Sequence, residues 1–227
     1  MSDPVRPARL QGRFITFEGM DGCGKTTQLR LLAAALRAQG RDVVETVEPG
    51  GTELGQQIRR ILLDPASSEM HARTELLLYF ASRAQNAAQV IRPALAAGKL
   101  VLCDRFTDST LVYQGCGRGL DAGIVRQLDA IACEGLRPDA TVLIDIDRET
   151  SLARARKRNQ RNGPAESRID EESAAFHERV RRGYLALAAE EPELFLVIDG
   201  RTDVAGVSAR IQDALGVALG TAGSLHV

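Results

Sequence analysis

Lysine is scarce in this sequence: three residues stand against 26 arginines, and one of the three, Lys25, lies among glycines. Net charge is nearly absent at -1, so the chain has no global attraction to polyanions, and no nucleic-acid partner is expected. No apolar run approaches the roughly 18 residues of a membrane span, and the opening "MSDPVRPARLQGR" lacks the apolar centre of a secretory signal. The expectation is a cytoplasmic protein without a membrane partner. Four cysteines, Cys23, Cys103, Cys116 and Cys133, show no CxxC pairing, which argues against both a disulfide framework and a zinc site and leaves free thiols. Internal repeats are also missing. What is present is ordinary globular composition, 44% apolar and 26% charged over 227 residues, enough to bury a substantial core.

Five short, β-branched runs recur with helical stretches between them: 13–17, 42–47, 100–104, 140–146 and 194–199. Nearly unbroken apolar strands alternating with helices predict an α/β three-layer fold, a five-stranded parallel sheet with helices on both faces. The spacing predicts a helix over 24–39, with Leu29, Leu32 and Leu36 on one face and Gly40 behind its end. A long helix is predicted over 70–97, kinked or ended by Pro93, with shorter ones over 121–134, 148–158, 170–190 and 203–217. Residues 12–219 read as one domain, with flexible tails at 1–11 and 220–227.

Gly19-Met20-Asp21-Gly22-Cys23-Gly24-Lys25-Thr26 fits G-x4-G-K-[ST] between a strand and a helix, followed by Thr27. Glycines let such a backbone curl with its N–H groups inward, and the helix N-terminus adds partial positive charge, so the loop solvates a phosphate. Lys25 is expected to reach the β and γ phosphates, a compact ammonium where a wide guanidinium would not fit, and Thr26 to ligate magnesium. At the end of the third strand, Asp104 and Arg105 point into the crevice where parallel sheets bind ligands. Asp104 can complete a magnesium shell and Arg105 can clamp a phosphate. The plainer alternative is an ion pair between neighbours at a strand end.

With these motifs in view, the sequence resembles thymidylate kinases from about residue 12 to 217. The resemblance is carried by Glu18 to Thr27, by Glu48-Pro49-Gly50-Gly51-Thr52, by "DRFTDSTLVYQGCGRG" over 104–119 and by "RPDATVLID" over 137–145. It implies a P-loop kinase fold that transfers the γ phosphoryl of ATP to dTMP with magnesium, in a homodimer packed through long helices. Glu48, Pro49, Arg59, Tyr79, Arg83, Arg105, Ser109, Thr110, Tyr113, Gln114 and Arg118 then stand in the substrate site. Tyr79 and Arg83 share a helix face at i and i+4, where family members stack thymine and bind its O4; without the family, Tyr79 reads as a core aromatic. Tyr113 is expected under the deoxyribose, Asp21 near the acceptor sugar, and Arg59 and Arg105 on the monophosphate. Two departures stand out: Val47 replaces the arginine common before "EPGGT", and Phe106 replaces tyrosine or histidine.

The run "RARKRNQR" over 154–161 reads blandly as a solvated basic helix end or a small nucleic-acid patch. Gly163 and Pro164 follow it, the make-up of a flap that closes on ATP. Some thymidylate kinases supply a catalytic arginine from the glycine loop, where this chain has Gly22, and others supply it from a lid. The resemblance therefore implies a lid over about 154–168, with Arg154 and Arg158 as the catalytic candidates and Arg156, Arg161 and Arg168 on ATP. A kinase for another mononucleotide or a deoxynucleoside shares these features. A nucleotide switch is the other rival, although the guanine-binding run N-K-x-D is absent from the sequence.

Overall fold

The computed structural model describes residues 13–162 and 168–216; within 148–162 the side chains of Ala155, Arg156 and residues 158–162 lie outside the description. The tails expected at 1–11 and 220–227 also lie outside the described residues. Five strands, β1 (Phe14–Glu18), β2 (Val43–Val47), β3 (Leu100–Asp104), β4 (Ala140–Asp145) and β5 (Phe195–Asp199), form one sheet in the order β2-β3-β1-β4-β5. Every pairing is parallel. The central β1 and β3 are buried at every position, whereas the edge strands β2 and β5 are only partly buried.

The helices are α1 (Lys25–Ala38), α2 (Glu53–Leu63), α3 (Ala72–Asn86), α4 (Arg92–Ala96), α5 (Thr107–Thr110), α6 (Ala122–Cys133), α7 (Arg148–Asn162), α8 (Ala174–Glu190) and α9 (Val204–Ala214). Side-chain caps set several starts: Thr52, Asp121, Ser173 and Asp203 each accept the N–H of the residue three positions on. The long helix expected over 70–97 continues past Pro93, because a π turn over Ala87–Ile91 precedes the proline and takes up its missing donor. A second π turn, Leu111–Gly117, extends α5 and carries the motif residues Tyr113 and Gln114.

Strand alternation divides the core. Ile15 and Phe17 face α1 and α9, packing on Leu29, Leu32, Val207 and Ile211. On the opposite face, Phe14 packs with Ile91, Phe106 and Cys133. Thr16 and Glu18, which share that face, are fully buried yet polar. Thr16 is satisfied by Thr141 of β4 across 2.9 Å. Glu18 ends the central strand where the carboxyl ends of β1, β3 and β4 converge, so the fold delivers a buried acid to the mouth of the sheet.

Candidate active site

The glycine loop is built as its sequence demands. Gly19 has φ 134°, and a Cβ there would meet the Ile144 carbonyl at 2.5 Å. Gly24 is left-handed and begins α1 without a side-chain cap, so the first-turn N–H groups are left for an anion. Lys25 is buried, its Nζ donating to the carbonyls of Gly19 (3.0 Å) and Met20 (2.9 Å). Thr26 donates its hydroxyl to Asp104 Oδ2, joining α1 to the end of β3. Asp21, Gly22, Gly24 and Thr27 line the adjoining cleft, whereas Met20 and Cys23 turn into the core.

That cleft, about 690 Å³, runs from the loop to α3. Its far wall is a buried polar lattice. Arg83, 1% exposed, donates Nε to Glu48 and Nη2 to the Phe106 carbonyl (3.0 Å) and Thr110 Oγ1 (2.9 Å). Its guanidinium lies over the Phe80 ring at 4.9 Å. Among the described residues Arg83 Nη1 has no hydrogen-bond partner, although it is buried and its side chain lines the cleft. Burial pushes the Glu48 carboxyl above its usual range, opposed by the Arg83 charge and by a bond from Asn86 Nδ2 at 3.1 Å. Tyr79 lines the same end, its phenol pushed up to about 12 by burial and by the Glu75 charge. Pro49 and Arg59 also line the cleft, Arg59 Nη1 donating to the Pro49 carbonyl at 3.0 Å.

Arg105 forms the floor. Its backbone is left-handed, φ 73°, an unfavourable conformation for a residue with a Cβ. Nη1 donates to the Gly19 carbonyl (3.2 Å), Ser109 Oγ (3.0 Å) and Tyr184 Oη (3.2 Å), and Nη2 donates to Asp21 Oδ1 (2.7 Å) and Tyr113 Oη (3.3 Å). Tyr113 in turn donates to Asp21 Oδ2 at 2.8 Å. Asp21, Arg105, Ser109 and Tyr113 therefore make one connected surface between the glycine loop and the Tyr79 wall. Burial works against the Arg105 cation, yet the surrounding phenols and carboxylates hold it well above the ordinary arginine range.

Three expected residues sit apart from this surface. Arg118 does not line the cleft; it donates to both Glu75 oxygens and to Glu172. Arg168, expected on ATP, pairs with Glu75 at 2.7 Å and donates to the Leu62 carbonyl at the end of α2. Gln114, which does line the cleft, donates to Glu75 Oε1 at 2.7 Å. Burial alone would raise Glu75, but the bonds from Arg118 and Gln114 and the two arginine charges hold it below its usual range. Arg154 lines the cleft from α7, its Nη1 3.5 Å from the Gly200 carbonyl. The side chains of Arg156, Arg158 and Arg161 lie outside the described residues. Val47 lines the cleft where an arginine was looked for; Phe106 turns its ring inward against Phe14, 5.0 Å between centroids, and serves the site through its carbonyl.

Comparison with known proteins fits this geometry. The sequence model of the Thymidylate kinase family matches residues 17–211. Two proteins named thymidylate kinase match at length: one from Trichlorobacter lovleyi is 52% identical over 203 residues, covering 89% of this chain and 96% of that protein. One from Geobacter sulfurreducens is 53% identical over 205 residues, covering 90% and 96%. The chain belongs to the thymidylate kinase family. The crystal structure of thymidylate kinase from Ehrlichia chaffeensis superposes with a TM-score of 0.72 at 35% identity, covering 90% of this chain and 98% of that one. The thymidylate kinase match runs from Phe17, near the end of β1, into α9, and so takes in the glycine loop, Arg83, Arg105 and α8.

Two site residues escaped the reading of the sequence as ligands of anything. In the sequence Glu18 only precedes the glycine loop, and Tyr184 belongs to no motif. The available signals were an acid ending a central strand and one of only three tyrosines, set in the apolar stripe of a long helix.

Proposed function

We propose how this chain carries out its family's reaction, the transfer of the γ phosphoryl of ATP to dTMP with release of dTDP and ADP. The observation that carries the reading is Arg83 Nη1, a buried donor left unpaired in a side chain that lines the cleft. A base carbonyl offered beside Tyr79 satisfies it, and a base without that acceptor leaves a buried charge-bearing donor unpaired, which sites discriminate strongly. Tyr79 stacks the ring, and Thr110 and Ser109 present hydroxyls to its remaining edge. Tyr113, its hydroxyl fixed by Asp21, packs under the sugar and disfavours a 2′-hydroxyl.

The glycine loop and the N-terminus of α1 take the triphosphate, with Lys25 exchanging its loop carbonyls for phosphate oxygens. Thr26 and Asp104 present a hydroxyl and a carboxylate side by side, the hard oxygen donors that would hold magnesium. That ion would neutralise charge on the phosphates; the chain does the rest by positioning. Arg59 and Arg105 hold the acceptor phosphate, so two anions meet in line in a site of fixed dipoles. No covalent intermediate is required, and the acceptor oxygen is already ionised at neutral pH. Arginines of α7, Arg154 and Arg158 first, close on the donor and keep water out.

We read residues 12–219 as one domain that works as a homodimer. α3 packs between α2 and α6, and these neighbours expose Leu54, Ile61, Leu77, Ile124 and Ile131, the last 74% exposed. All four cysteines are free thiols, in keeping with a cytoplasmic protein, and no described helix is long and apolar enough to cross a membrane. The test is ADP release from ATP and magnesium over dTMP, dUMP, dCMP, dGMP and UMP. dTMP is expected to be the best acceptor; equal ADP release without any acceptor overturns the reading.

A further inference from the structure

A phenylalanine would fill the space of the Tyr184 ring, which packs edge-on to Tyr113 with centroids 6.2 Å apart. The hydroxyl needs another explanation, since the residue is only 2% exposed and polar groups surround its Oη. It donates to Glu18 Oε2 at 2.8 Å, stands 2.9 Å from Ser109 Oγ and accepts from Arg105 Nη1 at 3.2 Å. Ser109 Oγ also donates to Glu18 Oε2 and accepts from Arg105 Nη1.

Proton bookkeeping gives this cluster a direction. Arginine is a donor only, and an ionised carboxylate is an acceptor only. Each hydroxyl has one proton, so either both donate to Glu18 or one reaches it through the other; in every case the donation ends on Glu18 and the lone pairs of both face Arg105. The other Glu18 oxygen takes the N–H of Phe106 at 2.7 Å, the peptide directly after the left-handed Arg105. Glu18 thus holds both ends of Arg105, its backbone directly and its guanidinium through two hydroxyls.

We infer that Tyr184, oriented by Glu18, is a positioning residue for Arg105. α8 brings the hydroxyl from the element that follows the cleft-lining Ile169 and Asp170, and locks the guanidinium between the glycine loop and the acceptor wall. The inference rests on the reading of Arg105 as the grip on the acceptor phosphate, and a double-mutant cycle separates the two. Arg105→Lys is expected to lower kcat/KM for dTMP about 100-fold, since a point charge loses the forked geometry. Tyr184→Phe is expected to lower it about tenfold in the native background and less than about twofold in the Arg105→Lys background, the non-additivity of residues acting as a unit. A purely structural role for Tyr184 costs the same factor in both backgrounds, and that result overturns the inference while leaving Arg105 its role. Arg105→Lys within about threefold of the native enzyme overturns both. If Tyr184→Phe does not fold, Glu18→Gln keeps the volume while turning one acceptor into a donor, and the same cycle is read by the same criterion.

Discussion

The two ends of the cleft handle their arginines in opposite ways. At the α3 end, Arg83 is 1% exposed, fixed by Glu48, Phe106 and Thr110 before any ligand arrives. At the α7 end, Arg154 is exposed and, among the described residues, bonds to the Gly200 carbonyl alone, at 3.5 Å. A buried cation must have its charge paired or the fold suffers, whereas an exposed one costs the folded state almost nothing. The α3 end is therefore part of the core as well as of the cleft, whereas Arg154 lines the cleft without helping to hold the protein together. Damage to the first should appear in stability and in substrate binding together. Damage to the second should appear in turnover alone.

The sharpest way to break that contrast is to truncate α7. Arg154→Ala and Arg158→Ala are expected to separate, the one that meets the transferred phosphoryl losing about 10³ in kcat. In both variants the dTMP KM is expected to stay within about twofold, and in Arg154→Ala the thermal midpoint within about 1 °C, as for a solvent-facing change. Steady-state kinetics and calorimetry on the same preparations check this, and a fall in stability that tracks the fall in kcat would end the distinction. Next in size is Arg83→Met, which leaves Glu48 buried without its cation and should cost about 3–5 kcal/mol of stability. Replacing both partners, Arg83→Met with Glu48→Met, should return most of that stability while the dTMP KM stays raised by at least about tenfold, because the base has lost its donor. Denaturant melts and dTMP titration read the two effects independently.

How much of this was legible in the sequence follows the same division. The strands and the glycine loop announce themselves in runs of five to eight neighbouring residues, and the sheet order adds nothing to their chemistry. Asp104, Arg105, Ser109, Thr110 and Tyr113 are carried on one stretch; the strand end marks the first two, and only the resemblance to the family adds the other three. Arg118 and Arg168 belong to sequence runs near the site but are spoken for by Glu75, a buried acid on α3 that no local pattern marks as their partner. The pairing of Glu18 with Tyr184 spans most of the chain and depends on which way two side chains turn inside the core. The π turn ahead of Pro93 escaped for a related reason, since hydrogen-bond register leaves no mark on composition.

The smallest expected effect tests whether the acceptor wall tolerates charge that is not matched. Asp108 on α5 accepts from Thr141 Oγ1 at 3.3 Å and has no cation bonded to it among the described residues. Burial pushes its carboxyl up to about 7, the Glu18 charge adding to the rise, while Arg83 opposes it. The folded protein then holds a proton at pH 5 to 6 that the unfolded chain has released, so this group's contribution declines as pH rises from about 4 through about 7. Above that window the ionised acid costs the native state in full. Asp108→Asn keeps the acceptor for Thr141 and removes the charge, so it is expected to raise the thermal midpoint at pH 8 by about 2–6 °C, the side chain's partial contact with water limiting the gain. At pH 4 the two proteins should melt together, with the gap opening between pH 4 and 7. A gap of constant size across that range would mean that the substitution acts through packing, and that the wall carries Asp108 as an ordinary solvated carboxylate.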